Sequence, residues 1–106
     1  MPSSRLEQLL QHLEDDPNDP FNIYAVAMEY RKTDVQKATK FLLLLLHEHE
    51  DYLPTYYHLG KLKQEQGNVS AAKRVFSLGI EKAEKFGELK TLRELKNALM
   101  ELEFED

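Results

Sequence analysis

The side chains able to do chemistry are few and dispersed. His47 and His49 form the one close histidine pair. Residues two apart on a helix point to different sides, so they share no ligand face and read as solvated surface histidines. His12 and His58 are isolated in the sequence and read as surface or packing side chains. Carboxylates gather at Glu14-Asp15-Asp16, Glu48-x-Glu50-Asp51 and Glu101-x-Glu103-x-Glu105-Asp106. Such runs mark solvated loops and helix ends. The chain has no cysteine, which excludes disulfides, thiolate nucleophiles and cysteine-based zinc sites. No EF-hand loop, P-loop or dinucleotide fingerprint is present. No acid, base or ligand set converges, so the expectation is a protein that is not an enzyme and has no catalytic, metal or cofactor-binding residue.

Bulk properties narrow the class further. The 106 residues suit one domain, and 42% apolar with 31% charged residues is an ordinary globular balance. A net charge of −5 and a pI near 5.4 argue against nucleic-acid or anionic-membrane binding, which draws on a lysine and arginine excess. The start, Met1-Pro2-Ser3-Ser4-Arg5, lacks the apolar core of a signal peptide. The longest apolar run, Phe41 to Leu46, is far shorter than the roughly 20 residues of a membrane span. A soluble, cytoplasmic protein is expected.

The elements that would position these residues all read as helices. Ser4-Arg5-Leu6-Glu7 is a capping box before a leucine stripe at Leu6, Leu9, Leu10 and Leu13. Asp15-Asp16-Pro17-Asn18-Asp19-Pro20 stops that helix. A second helix runs from about Pro20 to Lys32, with apolar Ile23, Tyr24, Val26, Ala27 and Tyr30. After Thr33-Asp34 a third runs from Val35 to about Glu48, with Ala38, Phe41, Leu42, Leu45 and Leu46 on one face. Leu43 and Leu44 lie off that face, which predicts a helix covered on more than one side. A fourth helix follows Asp51-Tyr52-Leu53-Pro54 and ends near Gln66 at Gly67. Asn68 caps a fifth, bearing Ala72, Val75, Phe76, Gly79, Ile80 and Ala83 and closing at Gly87. Leu89, Leu92, Leu95, Leu99 and Leu102 mark a sixth, followed by an acidic tail.

Two of these pairs repeat. The third and fifth helices superpose at an offset of about 34 residues, with Ala38 on Ala72, Leu42 on Phe76 and Leu45 on Gly79. The second and fourth match one residue closer, with Ile23 on Tyr56, Val26 on Leu59 and Ala27 on Gly60. The turn of the first copy has therefore lost one residue, Thr33-Asp34 answering Gln66-Gly67-Asn68. Tyr56-x2-Leu59-Gly60, the Gly67-Asn68 turn and Ala72-x3-Phe76 together resemble the signature of the tetratricopeptide repeat, an antiparallel helix pair. Chains of this layout also resemble small stand-alone bacterial proteins of that family. The resemblance implies an all-α fold, a right-handed α-solenoid of about six helices. It divides the chain into an N-terminal half-repeat helix (1–18), repeat one (19–52), repeat two (53–86) and a C-terminal capping helix with its acidic tail (87–106). Departures from the family pattern are Lys63 for a usual tyrosine, Leu45 for a small residue, and Glu50 and Glu84 where a closing proline is common.

In the family, the first helix of each pair lines a concave face that accepts a peptide. By this register the resemblance implies Phe21, Tyr24, Met28 and Arg31 from repeat one and Pro54, Tyr57, Lys61 and Gln64 from repeat two. Tyrosine, methionine and arginine are enriched where proteins bind proteins. The family's chaperone-binding class clamps a C-terminal carboxylate with a lysine and asparagines. The matching positions here carry Tyr24, Met28 and His58, so chaperone-tail binding is not expected. The expected function is a non-catalytic scaffold for a protein or peptide partner, acidic or mixed if Arg31, Lys32 and Lys61 make the groove basic. Two alternatives stand beside it. One is a self-assembling homo-oligomer, burying the surplus leucines of the third helix or the Leu99-Met100-Leu102-Phe104 end. The other, more remote, is a small hydrolase or metal-dependent enzyme.

Overall fold

The computed structural model describes residues 4–105, and every regular element among them is an α-helix. In chain order these are α1 (Arg5–Asp15), α2 (Pro20–Arg31), α3 (Val35–Glu48), α4 (Pro54–Glu65), α5 (Val69–Phe86) and α6 (Leu89–Glu105). The starts of α1, α2, α3 and α5 follow from short polar side chains that satisfy the first backbone N–H groups, whereas α4 has no side-chain cap. Ser4 Oγ accepts from the Glu7 N–H at 3.1 Å, and Asp19 Oδ1 accepts from the Phe21 N–H at 2.9 Å. Asp34 and Asn68 accept from the Lys37 and Ala71 N–H groups, both at 3.1 Å. Pro20 and Pro54 sit in first turns, where no N–H is missed.

The helices form two compact units that divide after Tyr52. In the first, α2 packs against α3 and against α1. Its core is Ile23, Val26 and Ala27 from α2 with Ala38, Leu42 and Leu45 from α3. The α1 leucines, Leu6, Leu9, Leu10 and Leu13, are only half-buried. Asn22 ties the end of α1 down by donating from Nδ2 to the His12 carbonyl at 3.2 Å and the Asp16 carbonyl at 3.1 Å. In the second unit α5 packs between α4 and α6. Tyr56, Leu59, Leu62, Ala72, Phe76, Ala83, Leu95 and Leu102 are buried there.

Burial bears on the register. Ile23, Val26 and Ala27 are buried in α2, and Tyr56, Leu59 and Gly60 at the positions one residue short of the full period are buried in α4. The turns show where the residue went. After α4 the Asn68 N–H reaches back to the Lys63 carbonyl at 2.9 Å, with Gly67 left-handed at φ 80° between them. After α2 the Asp34 N–H reaches the Tyr30 carbonyl, one residue nearer, at 2.6 Å. No non-glycine residue among those described takes a positive φ. The left-handed glycine is the residue that the first copy lacks.

Core sizes are exchanged between the copies. A Cβ placed on Gly60 would overlap the Phe76 ring, while the first copy has Ala27 and the smaller Leu42 at those two positions. A Cβ on Gly79 would come within 2.5 Å of Tyr56 Cβ. Its counterpart is Leu45, fully buried, in a unit where Ile23 replaces the tyrosine.

One expectation is corrected. Leu43 and Leu44 suggested an α3 covered on more than one side, yet they are 44% and 37% exposed. The covered face holds Ala38, Leu42 and Leu45, and 43 and 44 turn away from it because successive residues on a helix are about 100° apart.

Candidate functional site

In the first unit, α2 has two working sides. Ile23, Val26 and Ala27 face the core, and Phe21, Tyr24, Ala25 and Met28 recur at spacings of three and four on another side. Those four, with Arg5, Glu29 and Lys32, line a hollow of about 230 Å³. Phe21 is 59% exposed at its edge. Glu29 Oε2 pairs with Arg5 Nε at 3.4 Å and with Lys32 Nζ at 3.1 Å. The rim thus carries two cations around one carboxylate. Tyr24 meets the edge of Tyr52 at a centroid distance of 5.8 Å and 60° between planes. Burial raises the Tyr24 hydroxyl above its usual pKa, and the Arg31 guanidinium pulls it part of the way back. Tyr52 is raised too, first by burial and then by Tyr24 and Asp19. Both phenols therefore stay protonated hydrogen-bond donors at neutral pH.

In the second unit, Tyr57, His58 and Lys61 of α4 meet Glu94, Asn97, Ala98 and Glu101 of α6 around a hollow of about 450 Å³. The Tyr57 ring lies 6.5 Å from Phe76 and 5.5 Å from His58, the latter edge-on at 87°. Lys61 Nζ sits 5.8 Å from the Tyr57 ring centre and 3.9 Å from Glu101 Oε2. Lys61 is the one lysine here against two carboxylates, so this hollow is not basic.

The sequence-expected residues are thus distributed between two sites. Phe21, Tyr24 and Met28 share the first hollow, and Tyr57 and Lys61 share the second. Arg31 is half-buried and acts on Tyr24 without lining the hollow. Gln64 is half-buried and Pro54 exposed, and neither lines the second hollow. Sequence reasoning missed Arg5, Ala25 and Glu29 in one site and Glu94, Asn97, Ala98 and Glu101 in the other. The signal for the last four was present: 94, 97, 98 and 101 follow one helical side beside the buried stripe of Leu95, Ala98 and Leu102. Among the described residues, no three histidine, aspartate or glutamate side chains gather as a metal cage requires, and no helix is long and apolar enough to cross a membrane.

Comparison with solved structures places this geometry. The chain is similar to a tetratricopeptide repeat domain protein from Salinibacter ruber, 38% identical in its solution structure. That match covers 86% of this chain and 93% of that one, with a TM-score of 0.82. This chain belongs to the tetratricopeptide repeat family. A crystal structure of a tetratricopeptide repeat domain protein from Salinibacter ruber agrees, at 36% identity, 83% and 100% coverage and a TM-score of 0.80. A Bordetella parapertussis protein shares the fold alone, at 23% identity, with 99% and 92% coverage and a TM-score of 0.85. No family model matches the sequence, and no curated protein does either.

The tetratricopeptide signature residues Tyr56, Leu59, Gly60, Ala72 and Phe76 are all buried. They build the helix pair and take no part in lining either hollow. Tyr24 and Tyr57, by contrast, are half-buried and line the two hollows.

Proposed function

We propose that the protein is a non-catalytic interaction scaffold that holds a protein or peptide partner through the α2 hollow of its first unit and the α4–α6 hollow of its second. The observation that carries the reading is the pair of aromatic residues, Tyr24 and Tyr57. Each lines a hollow while neighbouring rings hold it in place. A side chain ordered before its guest arrives loses less freedom on binding. Aromatic side chains that are amphipathic and stiff are the type that anchors protein interfaces.

Charge suggests the guest's character. Arg5 and Lys32 outnumber Glu29 at the first hollow, which favours an acidic stretch of partner there. Lys61 faces Glu94 and Glu101 at the second, which favours a segment of mixed charge. The same reading takes 1–18 as a half-repeat helix, 19–52 and 53–86 as repeats, and 87–106 as a cap, in a protein working in the cytoplasm.

The test is a capture experiment from native cytoplasm with the wild type and a folded Tyr24→Ala/Tyr57→Ala variant. The reading requires that a partner taken by the first be lost by the second. The same set returning with both proteins would remove it. Self-association is a second reading, favoured by the exposed Leu89, Met100 and Phe104 of α6.

A further inference from the structure

The two ends of the α4–α6 hollow are not alike. Glu94, Asn97, Ala98 and Glu101 follow one side of α6 at spacings of three and four. Glu94 and Glu101 are therefore two turns apart, roughly 10 Å along the axis, with an amide and a methyl between them. Lys61 closes the Glu101 end. Its ammonium is 3.9 Å from the Glu101 carboxylate and 5.8 Å from the Tyr57 ring centre, and its side chain is only 26% exposed. The Glu94 end has no cation. No lysine, arginine or histidine among the described residues pairs with Glu94, and neither its carboxylate nor the Asn97 amide makes a side-chain hydrogen bond among them.

These features restrict what can enter. With His58 neutral, two carboxylates and one ammonium leave the hollow one net negative charge. The chain's own −5 adds to the attraction for a cation. An acidic side chain would find Lys61 already engaged and Glu94 opposing it. Between the two cationic side chains of a protein partner, exposure decides. Glu94 is exposed, so a lone ammonium beside it forms a surface pair worth little. A guanidinium does more. It holds a carboxylate with two parallel N–H donors and keeps further donors for an amide oxygen. Its methylene stem can cover apolar surface, here Ala98 and the half-buried Tyr57 ring.

We infer that the α4–α6 hollow receives an arginine side chain of the partner, its guanidinium paired with Glu94 and Asn97 and its stem lying over Ala98 and Tyr57. Lys61, held by Glu101, forms the far wall and repels a second cation there. The assignment rests on the partner-binding reading of this hollow and names the group that enters it. The volume of about 450 Å³ falls within the roughly 300–1,000 Å³ of ligand clefts, so the side chain has room to enter with its flanking backbone.

Titration of the isotope-labelled full chain with N-acetyl-arginine amide tests this without the partner in hand. The amide shifts of Tyr57, Glu94, Asn97 and Ala98, with the Asn97 side-chain amide, should move together and saturate in the millimolar range. N-acetyl-lysine amide should bind about fivefold more weakly. The citrulline analogue, which keeps the shape and loses the charge, should not saturate. Glu94→Gln should weaken arginine binding about fivefold. Glu81→Gln removes the same charge outside the hollow and should leave that binding unchanged. Both glutamates are exposed, so both variants should melt with wild type, which separates lost binding from lost folding. No saturable shift at these residues, equal binding of arginine and lysine, or arginine binding unaltered by Glu94→Gln would overturn the assignment. Binding of N-acetyl-glutamate amide there in place of arginine would overturn it too. The scaffold reading is judged separately, by the capture experiment with Tyr24→Ala/Tyr57→Ala. Partners lost in that variant while arginine fails to bind would overturn the arginine assignment alone.

Discussion

Tyr24 and Tyr52 set the clearest residue-scale expectation. Burial comes first among the causes that hold both phenols above the ordinary 10.0. A group whose pKa is higher in the folded chain contributes stability that is whole below its unfolded value and is lost as pH climbs through the folded one. The protein should therefore lose stability above about pH 10. Ultraviolet titration of the phenolates should show two late steps, with Tyr24→Phe and Tyr52→Phe each removing one. Two variants that titrate like wild type would show that neither ring is shielded. Asn22 supplies a second expectation. Its amide donates to two carbonyls at the end of α1, and both bonds are exposed enough for water to replace them in part. Asn22→Ala should cost about 1 kcal/mol, read as faster amide hydrogen exchange in α1 with α3 unchanged.

At the scale of helices, the exchange of sizes between the copies makes a double-mutant cycle informative. Gly60→Ala gains about 1 kcal/mol of helix propensity but pushes a methyl into the buried Phe76 ring. Overpacking of about 1–3 kcal/mol outweighs the gain. Gly60→Ala with Phe76→Leu rebuilds the Ala27–Leu42 pair of the first copy and should cost less than the sum of its single changes in urea melts. Additive costs would mean that the two sites do not touch. Gly67→Ala has open space around it and should still cost about 1 kcal/mol, because φ 80° disfavours a Cβ.

These same residues show what the sequence could and could not convey. Caps at Ser4, Asp19, Asp34 and Asn68, together with helical periodicity, made the six helices legible because they depend on near neighbours in the chain. The family signature added the pairing. The exposure of Leu43 and Leu44 was not legible, since it depends on what packs against α3 and not on their own type. The α6 side of the second hollow was hidden for a related reason. Glu94 and Glu101 lie more than thirty positions beyond Tyr57, and only the fold of the second unit brings them beside it.

For the whole molecule, the net charge of −5 sets the background against which a partner must bind. An acidic partner is repelled at long range and attracted only near Arg5 and Lys32. Added salt screens both effects, but the close attraction is the one formed in the complex. Affinity for such a partner should fall as salt rises, and a flat response in isothermal titration would remove the acidic reading. The separation of duties is also a whole-chain property. The signature residues Tyr56, Leu59, Gly60, Ala72 and Phe76 are buried, while Phe21 and Glu101 at the hollows are exposed. Substitutions at Phe21 or Glu101 should therefore alter binding while leaving the melting curve almost in place. The most direct test is a titration of the isotope-labelled chain with its captured partner, followed by amide chemical shifts. The account predicts that the largest changes fall on α2 around Tyr24 and on α4 and α6 around Tyr57. Changes confined to α3 or to the outer face of α6, with Tyr24 and Tyr57 silent, would contradict it.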